Sequence, residues 1–330
     1  MKELYNEELK EKFLSTYNNE PTQETIRNVF RKTYLIENTL EKDMFDMNLT
    51  QLGKCIENTN PSTSNAARAN MRFISNYLTW CTENGYRKSN INPLKTIDVD
   101  WADQFIDKTK KIHFSYNEFI NLLEDKIIMN YQDKALMMLM WNGIIGEEFS
   151  QLRDLKYTDI NFDNHTIYVK ERDYHVPVDK KTLYYLEKTN NEKTYYNYNQ
   201  VTKEFNEKEL LESPYVFKIV KSPRGEPNKP VGHNLIYRRI HILKELLELH
   251  YLTPQSIKQS GMIYESVQQY IMNGELGYKQ FEVVGNKYDY SKITTIDGKY
   301  EYYNTFLMKE FINPENIKEL YNINLEIKIR

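Results

Sequence analysis

Tyrosine supplies 27 of the 330 residues, and each is a potential nucleophile. Abundance dilutes the signal, so no single Tyr points to covalent chemistry by itself. His113, His165, His175, His233, His241 and His250 have no spacing that would gather metal ligands, and two distant cysteines do not complete a zinc site. His241 and His250 lie in a leucine-rich helical stretch, where surface or boundary positions are the simpler account. Cys55 and Cys81 fall at apolar helical positions and read as core packing rather than as partners of a catalytic His. There is no G-x-G-x-x-G, no P-loop and no H-E-x-x-H, so neither a cofactor nor a metal is expected.

The other chemistry open to the chain is charge. Arg68 and Arg72 stand four apart and share one face of a long helix, flanking its apolar stripe. Lys108, Lys110 and Lys111 cluster in a charged stretch, and Arg238 and Arg239 adjoin in a later helix. Such groups contact phosphates in nucleic-acid binders, although each alone is more simply a solvated surface charge. The balance of 44 Lys and Arg against 47 Asp and Glu gives a net charge of −3, which argues against a nucleic-acid partner. A basic face can still coexist with an acidic back.

The elements that would position these residues are mostly helical. Thr22 opens a helix with Ile26, Val29, Phe30 and Tyr34 at helical spacing, and Thr50 is a plausible N-cap for the next. The polar turn NPSTSN leads into AARANMRFISNYLTWCTENG, where Met71, Ile74, Leu78 and Cys81 form one stripe and Gly85 suits the end. Pro93 prevents the helix from resuming. A basic linker is expected over residues 96–114, separating a helical domain (1–95) from a larger one (115–330). Ser115 with Glu118 forms a capping pair, and YQDKALMMLMWNGII reads as a helix buried on most faces. LRDLKYTDINF turns into HTIYVKERDYHVPVD, the best strand pair in the chain. The expected class is therefore mainly α with a small β-hairpin. Repeated strand–helix alternation is absent, which excludes Rossmann and TIM layouts.

The charged N-terminus has no signal-like apolar core, no run approaches a membrane span, and the cysteine usage suits a reducing compartment. A cytosolic protein with no membrane partner is expected.

On these residues the chain resembles the tyrosine recombinase (phage integrase) family over about residues 20–305. NPSTSNAARANMRFISNYLTWCTENGYRKSNINPL is similar to the SAM-like core-binding domain. IGEEFSQLRDLKYTDINFDNHTIYVKERDYHVPV is similar to the first box of the catalytic domain. The resemblance implies a two-domain fold in which a Tyr attacks a DNA phosphodiester, two Arg stabilise the charged transition state, and a Lys and His-type donors assist. Each such donor is typically worth ~3–4 kcal/mol.

Carried over residue by residue, the resemblance places Gly146, Leu155, Asp159 and Ile160 on matching positions. The first catalytic Arg falls on Glu148 and the box's Glu on Gln151; Arg153 lies five residues on, and using it would break the match on both sides. The hairpin Lys falls on Lys170, with Arg172 competing. YLTPQSIKQSGM aligns with the second box through Leu252, Thr253, Pro254 and Ile257. There the family's His falls on Gln255, its Arg on Lys258 and its second His on Gln259. Val284-Gly285-Asn286 occupies the next step, so that His becomes Asn286. Tyr300, Tyr302 and Tyr303 compete for the nucleophile. A carboxylate at Glu148 would face the scissile phosphate with like charge, so no cleavage and no catalytic residue is expected.

Within the family the chain most resembles the SPbeta-type phage lytic-cycle repressors. This implies a transcriptional repressor holding a prophage silent in a bacterial cytoplasm, associated with the nucleoid and binding double-stranded DNA at operator sites. Arg68, Arg72, Lys108, Lys110, Lys111, Lys170, Arg172, Arg238, Arg239 and Lys258 are its candidate DNA contacts. A second copy of the chain and a phage regulatory protein are further candidate partners. The alternatives are an active, divergent recombinase and a protein–protein scaffold that binds no DNA. The C-terminal tail would serve either subunit exchange or packing on its own domain.

Overall fold

The computed structural model describes residues 4–107, 111–223, 225–249, 251–294 and 298–329, which divide into two units between Lys111 and Ile112.

Four helices build the first unit: α1 (Glu7–Leu14), α2 (Glu20–Leu40), α3 (Leu49–Asn58) and α4 (Ser64–Glu83). Their caps are mainly asparagines. Asn19 accepts from the Thr22 backbone N–H, and Asn48 closes a capping box with Gln51. Thr22 and Thr50 thus lie inside the helices they were expected to cap. Thr63 caps α4, and Gly85 follows it at φ +76°. Met71, Ile74, Leu78 and Cys81 face the core as their spacing predicts. Both cysteines are fully buried, and burial pushes their thiols up to about 12.

The expected linker is largely part of this unit. Val99–Phe105 forms a 3₁₀ turn whose Ala102, Trp101 and Phe105 join the core. Gly53 on α3 makes room for it, since a Cβ there would lie 2.6 Å from the Phe105 ring. The charged residues of the segment concealed this apolar set, spaced one and three apart.

The second unit begins with α5 (Tyr116–Glu124), behind the Ser115–Glu118 capping box, and α6 (Tyr131–Trp141), which is buried on nearly every face. A short helix, α7 (Ser150–Arg153), precedes an antiparallel sheet of β1 (Ile160–Asn161), β2 (Thr166–Val169) and β3 (Tyr174–Pro177), with Ile167 opposite Val176. Then come α8 (Lys180–Asn191), the hairpin β4 (Thr194–Asn199) and β5 (Glu204–Glu209), and α9 (His233–Leu246). The long α10 (Pro254–Asn273) crosses α6 closely, for a Cβ on Gly261 would fall 1.9 Å from the Trp141 carbonyl oxygen. β6 (Leu276–Gly277) and α11 (Tyr278–Lys287) follow, then the hairpin β7 (Lys292–Thr294) and β8 (Glu301–Tyr303), α12 (Thr305–Lys309), α13 (Pro314–Tyr321) and β9 (Ile327–Lys328).

The single expected hairpin is therefore one of several small sheets. The C-terminal tail packs on its own domain: β9 pairs in parallel with β6, and the Tyr321 hydroxyl accepts from the Tyr116 backbone N–H.

Candidate nucleic-acid interface

Helix α10 starts with Thr253 and Ser256 in a capping box and Pro254 in the first turn, an arrangement that fixes where its next turn points. That turn carries Lys258. Its side chain is half-buried and has no hydrogen bond or ion pair among the described residues. Burial pushes its ammonium down to about 8; Asp289 opposes the shift and Arg172 adds to it.

Arg172 comes from the turn after β2. Its Nη2 donates to the Asn286 carbonyl at 2.8 Å and the Lys287 carbonyl at 2.7 Å, both in the last turn of α11. Its Nη1 is buried with no partner. The Asp289 carboxylate stands 3.9 Å from Nε and is mostly exposed.

Of the three candidate tyrosines, only Tyr303 turns inward. It is 7% exposed, against 70% for Tyr300 and 37% for Tyr302. Its ring lies over Gly285, where a Cβ would approach to 2.6 Å, and its hydroxyl donates to the Asn286 side-chain oxygen. Burial, then Asp289, raises its hydroxyl, while Arg172 acts the other way. Lys258, Arg172, Asn286 and Tyr303 thus form one cluster around Asp289, with two cations and one carboxylate.

The other positions that the resemblance singles out are occupied differently. Glu148 sits in a loop where Gly146, Glu148 and Phe149 all have positive φ (72°, 46° and 63°). Its carboxylate is exposed and lies 3.8 Å from Nδ1 of His233. Gln151 is buried and accepts from the Ile145 backbone N–H at 3.2 Å. Gln255 is exposed. Gln259 meets His113 at 3.2 Å, and burial holds that imidazole below its usual range. Arg153 is half-buried with its Nε unpartnered, a feature no sequence spacing announces.

Residues 113–322 match the family model described as MrpR, C-terminal catalytic domain, and residues 4–83 match MrpR, N-terminal core-binding domain. The chain belongs to the MrpR family. Its fold is mainly helical with small sheets, and its two domains match that family's core-binding and catalytic domains. It is similar to the SPbeta prophage-derived uncharacterized protein YopR of Bacillus subtilis (strain 168), at 26% identity over 98% of this chain and 99% of that one. Among solved structures it is similar to the Tn1549 transposon integrase in complex with circular intermediate DNA (TM-score 0.40, 13% identity, 88% of this chain and 96% of that chain). XerA recombinase matches at a TM-score of 0.41 and 11% identity, covering 95% of each chain.

The candidate DNA contacts of this MrpR-family chain separate sharply by surroundings. Arg239 is 4% exposed and donates to Gln132 and the Lys218 carbonyl, with Asp133 at 3.9 Å and the Tyr195 ring beneath it. It is a core residue, not a surface contact. Arg68 grips Asp103 through two hydrogen bonds, at 3.0 and 2.6 Å, and reaches Asp100 at 2.7 Å. Arg72 is exposed and unpaired among the described residues. Arg238 is exposed and donates to Asn197 at 2.8 Å, while Lys170 is exposed at 3.6 Å from Asp159. Lys111 is exposed; Lys108 and Lys110 lie outside the described residues. No helix among the described residues is long and apolar enough to cross a membrane.

Proposed function

We propose that this MrpR-family chain is a sequence-specific DNA-binding repressor of prophage origin that grips DNA without cutting it. The observation that supports this most is Lys258, a half-buried ammonium with no acceptor among the described residues, within electrostatic reach of Arg172, whose Nη1 is buried and unpartnered. Buried N–H donors normally find partners. A DNA phosphate oxygen reaching this cluster would supply the missing acceptor to both cations. Lys258 neutralises such a charge as a point cation, without the bidentate geometry an Arg provides. Arg72, Arg238 and Lys170 are exposed and could add further phosphate contacts, Arg238 by leaving Asn197 and Lys170 by leaving Asp159.

Cleavage would need more than a grip. A phosphorane-like transition state gathers negative charge and calls for preorganised cations and proton donors. This chain has Glu148, Gln255, Gln259 and Asn286 where the resemblance implies an Arg and three His. The Tyr303 hydroxyl donates a hydrogen bond to the amide oxygen of Asn286, a group too weakly basic to take up the proton near neutral pH, which supports a reading without nucleophile activation at that position. Repression of the lytic programme would then follow from occupancy of promoter DNA in the bacterial cytoplasm; the prophage origin is supported by the similarity to the SPbeta prophage-derived YopR.

A second reading, a divergent active recombinase, is favoured by one observation: Tyr303 shares its cluster with Arg172 and Lys258. Genome-wide mapping of bound DNA in the native host separates the two. A repressor gives several enriched promoter sites, and a recombinase gives one attachment site. An absence of enriched sites would contradict both.

A further inference from the structure

A cleft of about 640 Å³ opens between the start of α6, the start of α8 and α5, away from the Lys258 cluster in sequence and in composition. That is a common size for a small-molecule site. Its walls are aromatic, formed by the rings of Tyr116, Tyr131, Tyr184 and Tyr185. Tyr184 and Tyr185 meet edge to face at 5.4 Å, and Tyr184 is 42% exposed, with Lys188 5.3 Å over its ring.

Cations stand on these rings. Lys134 lies 5.7 Å over Tyr131, and Lys181 lies 5.6 Å over Tyr184 and 5.5 Å over Tyr185. Lys181 is paired with Glu124, on the exposed side. Lys134 is half-buried and has no ion pair or hydrogen bond among the described residues; burial, the largest cause, lowers its ammonium. The facing carboxylate of Asp179 is already engaged, accepting from Thr182 and from the Tyr116 hydroxyl at 2.7 Å. The cleft therefore offers positive charge that its own carboxylates do not fully meet.

A second observation concerns Tyr185, against which the Lys181 ammonium stands. Tyr185 is 2% exposed, and its hydroxyl is buried with no hydrogen-bond partner. A ring needed only for packing gains nothing from that hydroxyl, and leaving it unmet is unfavourable. An unmet phenol, an ammonium with no ion pair among the described residues and aromatic walls ask together for one occupant: an anion that carries its own π face.

We propose that this cleft binds a small aromatic phosphate of mononucleotide size, its ring stacked on the tyrosines and its phosphate held by Lys134 and Lys181. In that complex the phosphate shares Lys181 with Glu124 and gives Lys134 an acceptor that no described residue supplies. The proposal is independent of the DNA-binding reading, because none of its residues is a candidate DNA contact.

The test is isothermal titration of the full chain with adenosine 5′-monophosphate, adenosine and inorganic phosphate. The expected result is one site for the monophosphate, with each fragment binding at least about 10-fold more weakly, as the joint use of both halves requires. Lys134→Met keeps the stem over Tyr131 and should weaken the monophosphate about 10-fold; Tyr185→Phe, which keeps the ring, should weaken it about 3-fold, as lost charged and neutral hydrogen bonds do. Thermal melts of both variants establish that they are folded. Lys258→Met, in the other cationic cluster, should leave the titration unchanged. Absence of binding at millimolar concentration, equal binding of inorganic phosphate, or loss with Lys258→Met but not Lys134→Met would overturn the proposal.

Discussion

The Tyr303 hydroxyl donates to the side-chain oxygen of Asn286, and the backbone carbonyl of the same Asn286 accepts from Arg172. One residue thus ties the only inward-facing tyrosine of its segment to a cation of the candidate phosphate site. An imidazole at this position could exchange protons with a reacting phosphate; an amide cannot near neutral pH. On the proposed reading, the cluster keeps a grip on phosphate and lacks a proton-transfer group at Asn286.

Lys258 should carry measurable binding free energy. Lys258→Met is expected to weaken DNA binding about 10-fold at ~0.1 M salt and to make the slope of log K against log salt shallower by ~0.9, as loss of one phosphate contact does. Gel shifts across a salt series measure both. An unchanged slope would remove Lys258 from the interface.

The same residue sets a pH dependence. Its ammonium titrates near 8 in the folded chain, against ~10.4 for an unfolded lysine. Between those values the unfolded chain binds the extra proton, so Lys258 makes stability rise with pH across that window. DNA affinity should move the other way, falling as the ammonium is lost above pH 8. Urea titrations and gel shifts at pH 7 and 9 should show both trends in the native chain and neither in Lys258→Met.

Arg239→Met should act on stability alone. Removing the guanidinium leaves the buried Asp133 without its cation, which costs about 3–5 kcal/mol. Denaturation should register the loss, while the folded fraction should bind DNA with unchanged affinity.

The two arginines of α4 should part company. Arg72→Ala is expected to reduce DNA affinity by about 3- to 10-fold with little effect on stability, since an exposed, unpaired cation contributes through phosphates. Arg68→Ala should lower stability by ~1 kcal/mol by freeing Asp103 and Asp100, and affect DNA binding less. Equal losses of affinity would mean that Arg68 exchanges its carboxylates for phosphate.

Much of the scaffold was legible because local rules set it. The Met71–Ile74–Leu78–Cys81 stripe and the Ser115–Glu118 box each follow from neighbours in sequence. What stayed hidden depends on distant partners. Arg239 looks like its neighbour Arg238, yet one helical step turns it ~100° inward toward Asp133 and Gln132. The β4–β5 hairpin buries only Tyr195 among its tyrosines and charges, so no apolar alternation marks it. Tyr303 could be separated from Tyr302 only through strand alternation, once β8 is known to lie on α11. The candidate site was thus readable in its residue types and not in its pairings.

The most direct test is a suicide substrate: duplex DNA containing a mapped binding site, nicked so that a cleaved strand cannot rejoin, analysed on native and denaturing gels. The account predicts a retarded, salt-sensitive complex on the native gel and no protein-linked DNA after denaturation. A covalent 3′-phosphotyrosyl adduct lost in Tyr303→Phe, or the absence of any complex at low salt, would contradict it.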